Sequence, residues 1–241
     1  ALALLAATAA TTATARAEVE PPMATRKRTT ATHHGTTLHD DYRWLERAVD
    51  PAVKKHLQRE NAYTKSTLSA AAPLQKQLVA ELAELSDVVY DDPPERYRSY
   101  CYSKHHDPKL EYAVHYRQRD CDGEREILLD LNTQRGKSTF ASLGDWDVSL
   151  DETRFAYTLD LVGNERHSLY VRDIKTGRPV TRPIPNVSDF AFAGEDTLFY
   201  VTIDPGTLRP FRLYRRSLGT PTRPDVLVYE EKAPTFSLDL D

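Results

Sequence analysis

Four kinds of residue in this chain could carry chemistry: paired histidines, paired carboxylates, two cysteines and a run of tyrosines. His33-His34 and His105-His106 are adjacent pairs. On an extended backbone adjacent side chains point to opposite sides, which suits one metal ion poorly. Both pairs read as solvated residues, the first in a polar tail and the second in a hairpin loop. Asp40-Asp41 and Asp91-Asp92 read as turn and cap residues. Cys101 and Cys121 are too far apart for Cys-x-x-Cys; two separate thiols in or near strands is the expectation, with a single disulfide as the alternative. Tyr97, Tyr100, Tyr102, Tyr112 and Tyr116 are expected to pack across strands in preference to forming a stacking platform.

The common catalytic signatures are missing. No two of the nine glycines are four apart, so no Gly-x-Ser-x-Gly nucleophile elbow exists. None are two apart, and no Gly-Lys-Ser/Thr occurs, so dinucleotide and phosphate loops are excluded too. His-Glu-x-x-His is absent. No catalytic, cofactor-binding or metal-binding residue is assigned within the chain.

What these residues sit on is shown by a repeat. Trp146 is followed by a polar turn at Asp151–Thr153, by Arg154-Phe-Ala-Tyr-Thr, by a loop through Gly163-Asn164, and by Ser168-Leu-Tyr-Val. The same order returns from Phe190. Leu169-Tyr170 recurs as Leu213-Tyr214 and Trp146 as Phe190, both at an offset of 44 residues. Four short strands repeating every ~40–50 residues are the signature of a β-propeller blade. A β-sandwich with regular spacing is the alternative. Period-two segments at Tyr97–Tyr102, Glu111–Arg117 and Glu126–Leu131, with a turn at Asp120–Gly123, read as an earlier blade. The count is about three blades, and a strand-like pattern over 236–241 ends the chain. An incomplete ring leaves strand edges exposed.

Ahead of the blades, Asp50 followed by Pro51 marks a helix start. Val53, Leu57, Thr64 and Leu68 share one face of that helix. A second helix opens at Pro73 and carries Leu74, Leu78, Leu82 and Leu85 as a stripe. These stripes require a covering surface, either the propeller rim or a partner domain. Residues 1–22 read as a possible signal peptide with Ala15-Arg16-Ala17 as its cleavage site, which would make the protein periplasmic or secreted. The alternative is a cytoplasmic chain starting at Met23. Residues 23–39 lack any period and read as a disordered linker, 40–88 as a helical segment and 89–241 as an incomplete propeller. With 40% hydrophobic residues, 28% charged residues and a net charge of −4, the chain has no nucleic-acid surface, and Arg26-Lys27-Arg28 reads as a solvated tail. No apolar run approaches the ~20 residues of a membrane span.

Asp41-Tyr42-Arg43-Trp44-Leu45, followed by Glu60-Asn61-Ala62-Tyr63-Thr64, resembles the N-terminal segment of the prolyl oligopeptidase family of serine peptidases. Within it, Ile127–Asn132, Ser142-Leu-Gly-Asp145, Ala156-Tyr157, Gly163-Asn164-Glu165 and Asp225–Glu231 resemble the oligopeptidase B branch. Leu150 departs from the family's Ser-Pro-Asp turn. The resemblance implies a seven-bladed propeller capping an α/β-hydrolase domain, with the N-terminal helices packed on the hydrolase. It also implies short peptide substrates cut after Lys or Arg, and a Ser nucleophile with His as base and Asp orienting it, all beyond Asp241. This chain would then be the mainly β, size-filtering part of such an enzyme, itself inactive, with its own hydrolase domain as partner. The competing reading is a propeller that serves as a binding or scaffold module.

Overall fold

The computed structural model describes residues 20–219 and 223–240. The expected signal peptide falls largely outside the described residues. The chain divides into two compact units at Leu85 and Ser86.

The first unit begins with a hairpin where the sequence suggested a disordered linker. Strands β1 (Thr29–His33) and β2 (Thr36–Asp40) pair in register across a His34–Gly35 turn. Both turn residues have positive φ, 49° and 80°, as a tight two-residue hairpin requires. Polar side chains on both faces hid the strands from any test of hydrophobic alternation. Trp44 is buried on a short 3-10 turn, its Nε1 donating to the Thr25 carbonyl at 2.8 Å, with Lys27 lying over the ring. Helix α1 (Pro51–Thr67) starts as the sequence predicts, with Asp50 Oδ1 accepting from Ala52 N. Helix α2 (Ala72–Ser86) follows. Val53 is buried, but Leu57, Leu68 and the α2 stripe of Leu74, Leu78, Leu82 and Leu85 are solvent-exposed.

The second unit is three antiparallel sheets in chain order. The first contains β3 (Tyr90–Asp91), β4 (Glu95–Tyr97), β5 (Tyr100–His106), β6 (Val114–Arg119) and β7 (Arg125–Asp130), with β3 and β4 sharing one edge of β5. After the short helix α3 (Leu131–Gln134), β8 (Ser142–Val148), β9 (Arg154–Asp160), β10 (Ser168–Asp173) and β11 (Ile184–Pro185) form the second. The third comprises β12 (Val187–Ala193), β13 (Thr197–Ile203), β14 (Pro210–Ser217) and β15 (Val226–Glu230). Three sheets, each joining strands that follow one another in sequence, are three propeller blades. The first-blade strands lie two to four residues from their sequence-predicted positions at several ends, and His105-His106 closes β5 instead of lying in a loop. The terminal pattern is no strand: residues 236–240 run without a sheet partner, anchored by Leu238 N on Pro210 O and Leu240 N on Asp189 Oδ2.

The blades stack face to face through their alternating side chains. Phe155, Tyr157 and Leu159 of β9 join Tyr102, Leu128 and Leu129 of the first blade in one apolar cluster. Ala156, on the opposite face of β9, joins Val187, Phe190 and Leu198 of the third blade in another. Period two therefore buries both faces of this strand. Gly144 lies where β8 departs from regular register; a Cβ there would collide with Thr158 Oγ1, so the close approach favours glycine. The turn with Leu150 in the place of proline is closed by side chains: Ser149 Oγ donates to Asp151 Oδ1 (2.6 Å) and Thr153 Oγ1 to Asp151 Oδ2 (2.7 Å).

Candidate functional site

The first strands of successive blades, β8 and β12, lie against each other, as strands nearest the axis of a ring do. On that side, between β4 and β8, two adjoining hollows of about 410 and 270 Å³ share Glu95, Tyr102 and Trp146. Their walls are aromatic. Tyr102 lies 5.6 Å from Trp146 and 6.4 Å from Tyr97, ring centre to ring centre, and His115 meets Trp146 edge-on at 6.1 Å. Carboxylates of Asp92, Glu95 and Asp147 line the same space, with Arg96 and Lys104. Burial raises the Asp147 carboxyl above its ordinary pKa and the Tyr102 hydroxyl likewise. Burial, helped by the Lys104 charge, pushes His115 down to about 4. Such a cleft can stack flat groups and attract cations.

A third hollow of about 640 Å³ lies between the first two blades and is walled by Tyr100, Arg117, Arg119, Glu126 and Glu152 among others. Its charges are mostly committed to holding the blades together. Buried Arg117 donates to Glu126 Oε2 at 2.9 Å and to the Glu152 carbonyl at 2.8 Å, and its guanidinium covers the Tyr100 ring. Glu152 Oε1 accepts from Ser99 N.

The structure separates the residues singled out from sequence. Asp91 and Asp92 are neither turn nor cap residues: Asp91 sits in β3, opposite His105, and its carboxylate binds that imidazole across the strand pair, while Asp92 lies near His106. His105 Nδ1 lies 2.8 Å from Asp91 Oδ1, and Arg125 binds the same carboxylate; hydrogen bonds from Arg125 first and His105 second hold the Asp91 carboxyl below its ordinary pKa. His106 stacks on Tyr90 at 4.4 Å and approaches Asp92. These pairs resemble the His–carboxylate half of a catalytic triad, but Ser103, the closest serine in sequence, donates to the Asp92 carbonyl. The sequence favoured separate thiols for Cys101 and Cys121; they form a disulfide, because the turn after β6 folds back over β5 to bring their Cα atoms to 4.8 Å. Of the tyrosines expected to pack across strands, Tyr100 and Tyr102 do so in the core and Tyr116 lies beneath Arg125, but Tyr112 sits in the loop before β6 and Tyr97 is exposed on the wall of the cleft. Among the described residues no three His, Cys, Asp or Glu side chains are grouped to hold a metal. No helix among them is long and apolar enough to cross a membrane.

Sequence reasoning missed the cleft around Trp146 and the arginines of β6. Its available signal was the Arg117-x-Arg119 alternation, which sets both guanidiniums opposite Tyr102 and Tyr100.

Mainly β blades, preceded in sequence by a helical leader and carrying an aromatic, charged axis-side cleft, define a β-propeller domain. Residues 21–241 match the prolyl oligopeptidase N-terminal β-propeller domain, and the chain belongs to that family. It is 28% identical to dipeptidyl aminopeptidase BI of Pseudoxanthomonas mexicana, over 98% of this chain and 36% of that protein. With protease 2 of Moraxella lacunata it shares 29% identity, over 85% of this chain and 31% of the relative. The chain thus spans about a third of the length of these curated relatives. Its fold matches oligopeptidase B of Leishmania major with a TM-score of 0.77 at 23% identity, covering 90% of this chain and 34% of that one.

Proposed function

We propose that this chain is the propeller part of a serine oligopeptidase that hydrolyses short peptides after Lys or Arg, the propeller limiting substrate size. The observation that carries this reading is the family match over residues 21–241 by a chain about a third as long as its peptidase relatives. The catalytic Ser, His and Asp then belong to an α/β-hydrolase domain that this chain does not supply. That domain is also the covering surface for the exposed leucine stripe of α2. The axis-side cleft supports the preference for basic peptides: half-buried Trp146 and exposed Tyr97 offer aromatic rings, and Asp92 and Glu95 offer carboxylates, to a passing Lys or Arg side chain. The protein as produced by its native host should cleave a short arginyl chromogenic peptide and lose that activity to a serine-directed inhibitor. The 241-residue chain alone should be inert. A native product without inhibitor-sensitive cleavage would instead identify a binding or scaffold propeller.

A further inference from the structure

We propose that this protein folds and works in an oxidising compartment, where the Cys101–Cys121 disulfide is a required lock on the first blade. The inference stands apart from the peptidase reading, since it rests on the geometry of one turn. The chain has two cysteines, and both are in this bond. Cys101 lies in β5, opposite Gln118, and is 2% exposed. Cys121 lies in the turn that joins β6 to β7. Their Cα separation of 4.8 Å falls within the range a disulfide spans without backbone movement.

The turn needs a lock because its backbone is unfavourable. Asp120 and Cys121 are consecutive side-chain-bearing residues in the left-handed region, at φ 53° and 73°. The turn at the corresponding place in the second blade, after β10, is built differently. There a glycine, Gly177, takes the positive φ, and Asp173 closes the loop by accepting from Thr176 N and Oγ1. The first blade has no glycine at its left-handed positions and has a cross-link to the neighbouring strand. The same turn places Arg119 against Tyr100, and Asp120 N on the Ser99 carbonyl, so its shape sets one wall of the hollow between the first two blades.

A buried disulfide of this kind persists where thiols are oxidised and is rare in the cytosol. Its formation needs an oxidant of the disulfide class. Half-buried Cys121 attacks a disulfide sulfur of that oxidant as thiolate, releasing its proton and expelling one thiolate. Cys101, also losing its proton, then displaces the second sulfur. One protein S–S bond forms, one oxidant S–S bond is lost, and the oxidant leaves as two thiols.

The test is to alkylate thiols during lysis of the native host, map peptides without reductant, and melt the purified full chain with and without a phosphine reductant. The expected result is a linked pair of peptides containing Cys101 and Cys121, no alkylated cysteine, and a melting midpoint lowered by roughly 6–12 °C on reduction. The reduced protein should also be cut by protease within 119–124. Reduction of the folded wild type and the single variant Cys121→Ser, which should melt lower by the same margin, carry the test, so that it does not depend on the folding of a double Cys101→Ala/Cys121→Ala variant. Alkylation of both cysteines in host-derived protein would overturn the oxidising compartment and favour a cytoplasmic chain starting at Met23, and melting unchanged by reduction would overturn the lock.

Discussion

The first blade and the two that follow have the same strand order but are held by different chemistry. In the second blade Tyr157 stands opposite Tyr170 and stacks on it at 5.3 Å; in the third, Tyr200 and Tyr214 do the same at 5.4 Å. In the first blade the residue opposite Tyr102 is Arg117, whose charge is answered by Glu126. Its incoming strand, β3, is two residues long and fastened by imidazole–carboxylate contacts, and its last turn is closed by a disulfide. The difference teaches that a propeller blade is specified by its alternating buried faces, while the polar fastenings can vary from blade to blade. The Asp residues that organise the loops after the second strands show the shared part. Burial pushes Asp160 up, yet backbone N–H donors from 162 to 165 bring it below its ordinary pKa, and Asp204 is lowered by Thr207 and Gly206.

If packing is the common term, the largest loss comes from the seam itself. Phe155→Ala, at a side chain with no exposure, is expected to cost about 3–5 kcal/mol, and Leu198→Ala at the next seam about 2–5 kcal/mol. Glu152→Ala, which removes one fastening to Ser99, should cost only about 0.5–1.5 kcal/mol. Urea unfolding measures all three, and a polar loss exceeding the apolar ones would invert the comparison.

The next effect belongs to the first blade. His115 is held neutral by burial, with a folded-state pKa of about 4 against an ordinary 6.5. The unfolded chain therefore takes up the proton first, and stability falls as the pH drops from about 6.5 to about 4. The loss reaches roughly 3 kcal/mol at most and does not grow below that window. His115→Gln should remove this slope from a series of thermal melts; an unchanged slope would place the acid sensitivity elsewhere.

A smaller contrast lies in two hydroxyls. Tyr200 donates to Asp225, itself paired with Arg216, whereas the buried Tyr102 hydroxyl makes no well-formed hydrogen bond among the described residues and has only the Arg117 guanidinium beside it. Tyr200→Phe is expected to cost about 1.5–3 kcal/mol and Tyr102→Phe less than about 0.5 kcal/mol. Equal losses would show that Tyr102 is bonded in solution. The finest test is a double-mutant cycle on Tyr200 and Tyr214, where ring stacking should appear as a coupling of about 0.5–1.5 kcal/mol. A coupling near zero would make the repeated tyrosines a matter of area alone.

Much of this fold was legible because it is written in local periods. The offset of 44 residues fixed the second and third blades, since strand alternation and turn residues act over a few positions. Asp50 before Pro51 fixed the start of α1 for the same reason, as its cap bond reaches only to Ala52. The axis-side cleft was not legible. Glu95, Tyr102 and Trp146 come from three strands in two blades, and nothing in their spacing says that they meet.

By itself, then, the sequence determined the strand grammar, the helix starts and the missing nucleophile elbow, all of which depend on neighbours along the chain. Tertiary structure alone decided that Cys121 reaches Cys101, that Asp91 meets both His105 and Arg125, and that Thr29–Asp40 is a hairpin despite polar faces. Each of those is a contact between segments brought together by folding, where distance and backbone pairing, and not residue type, make the choice.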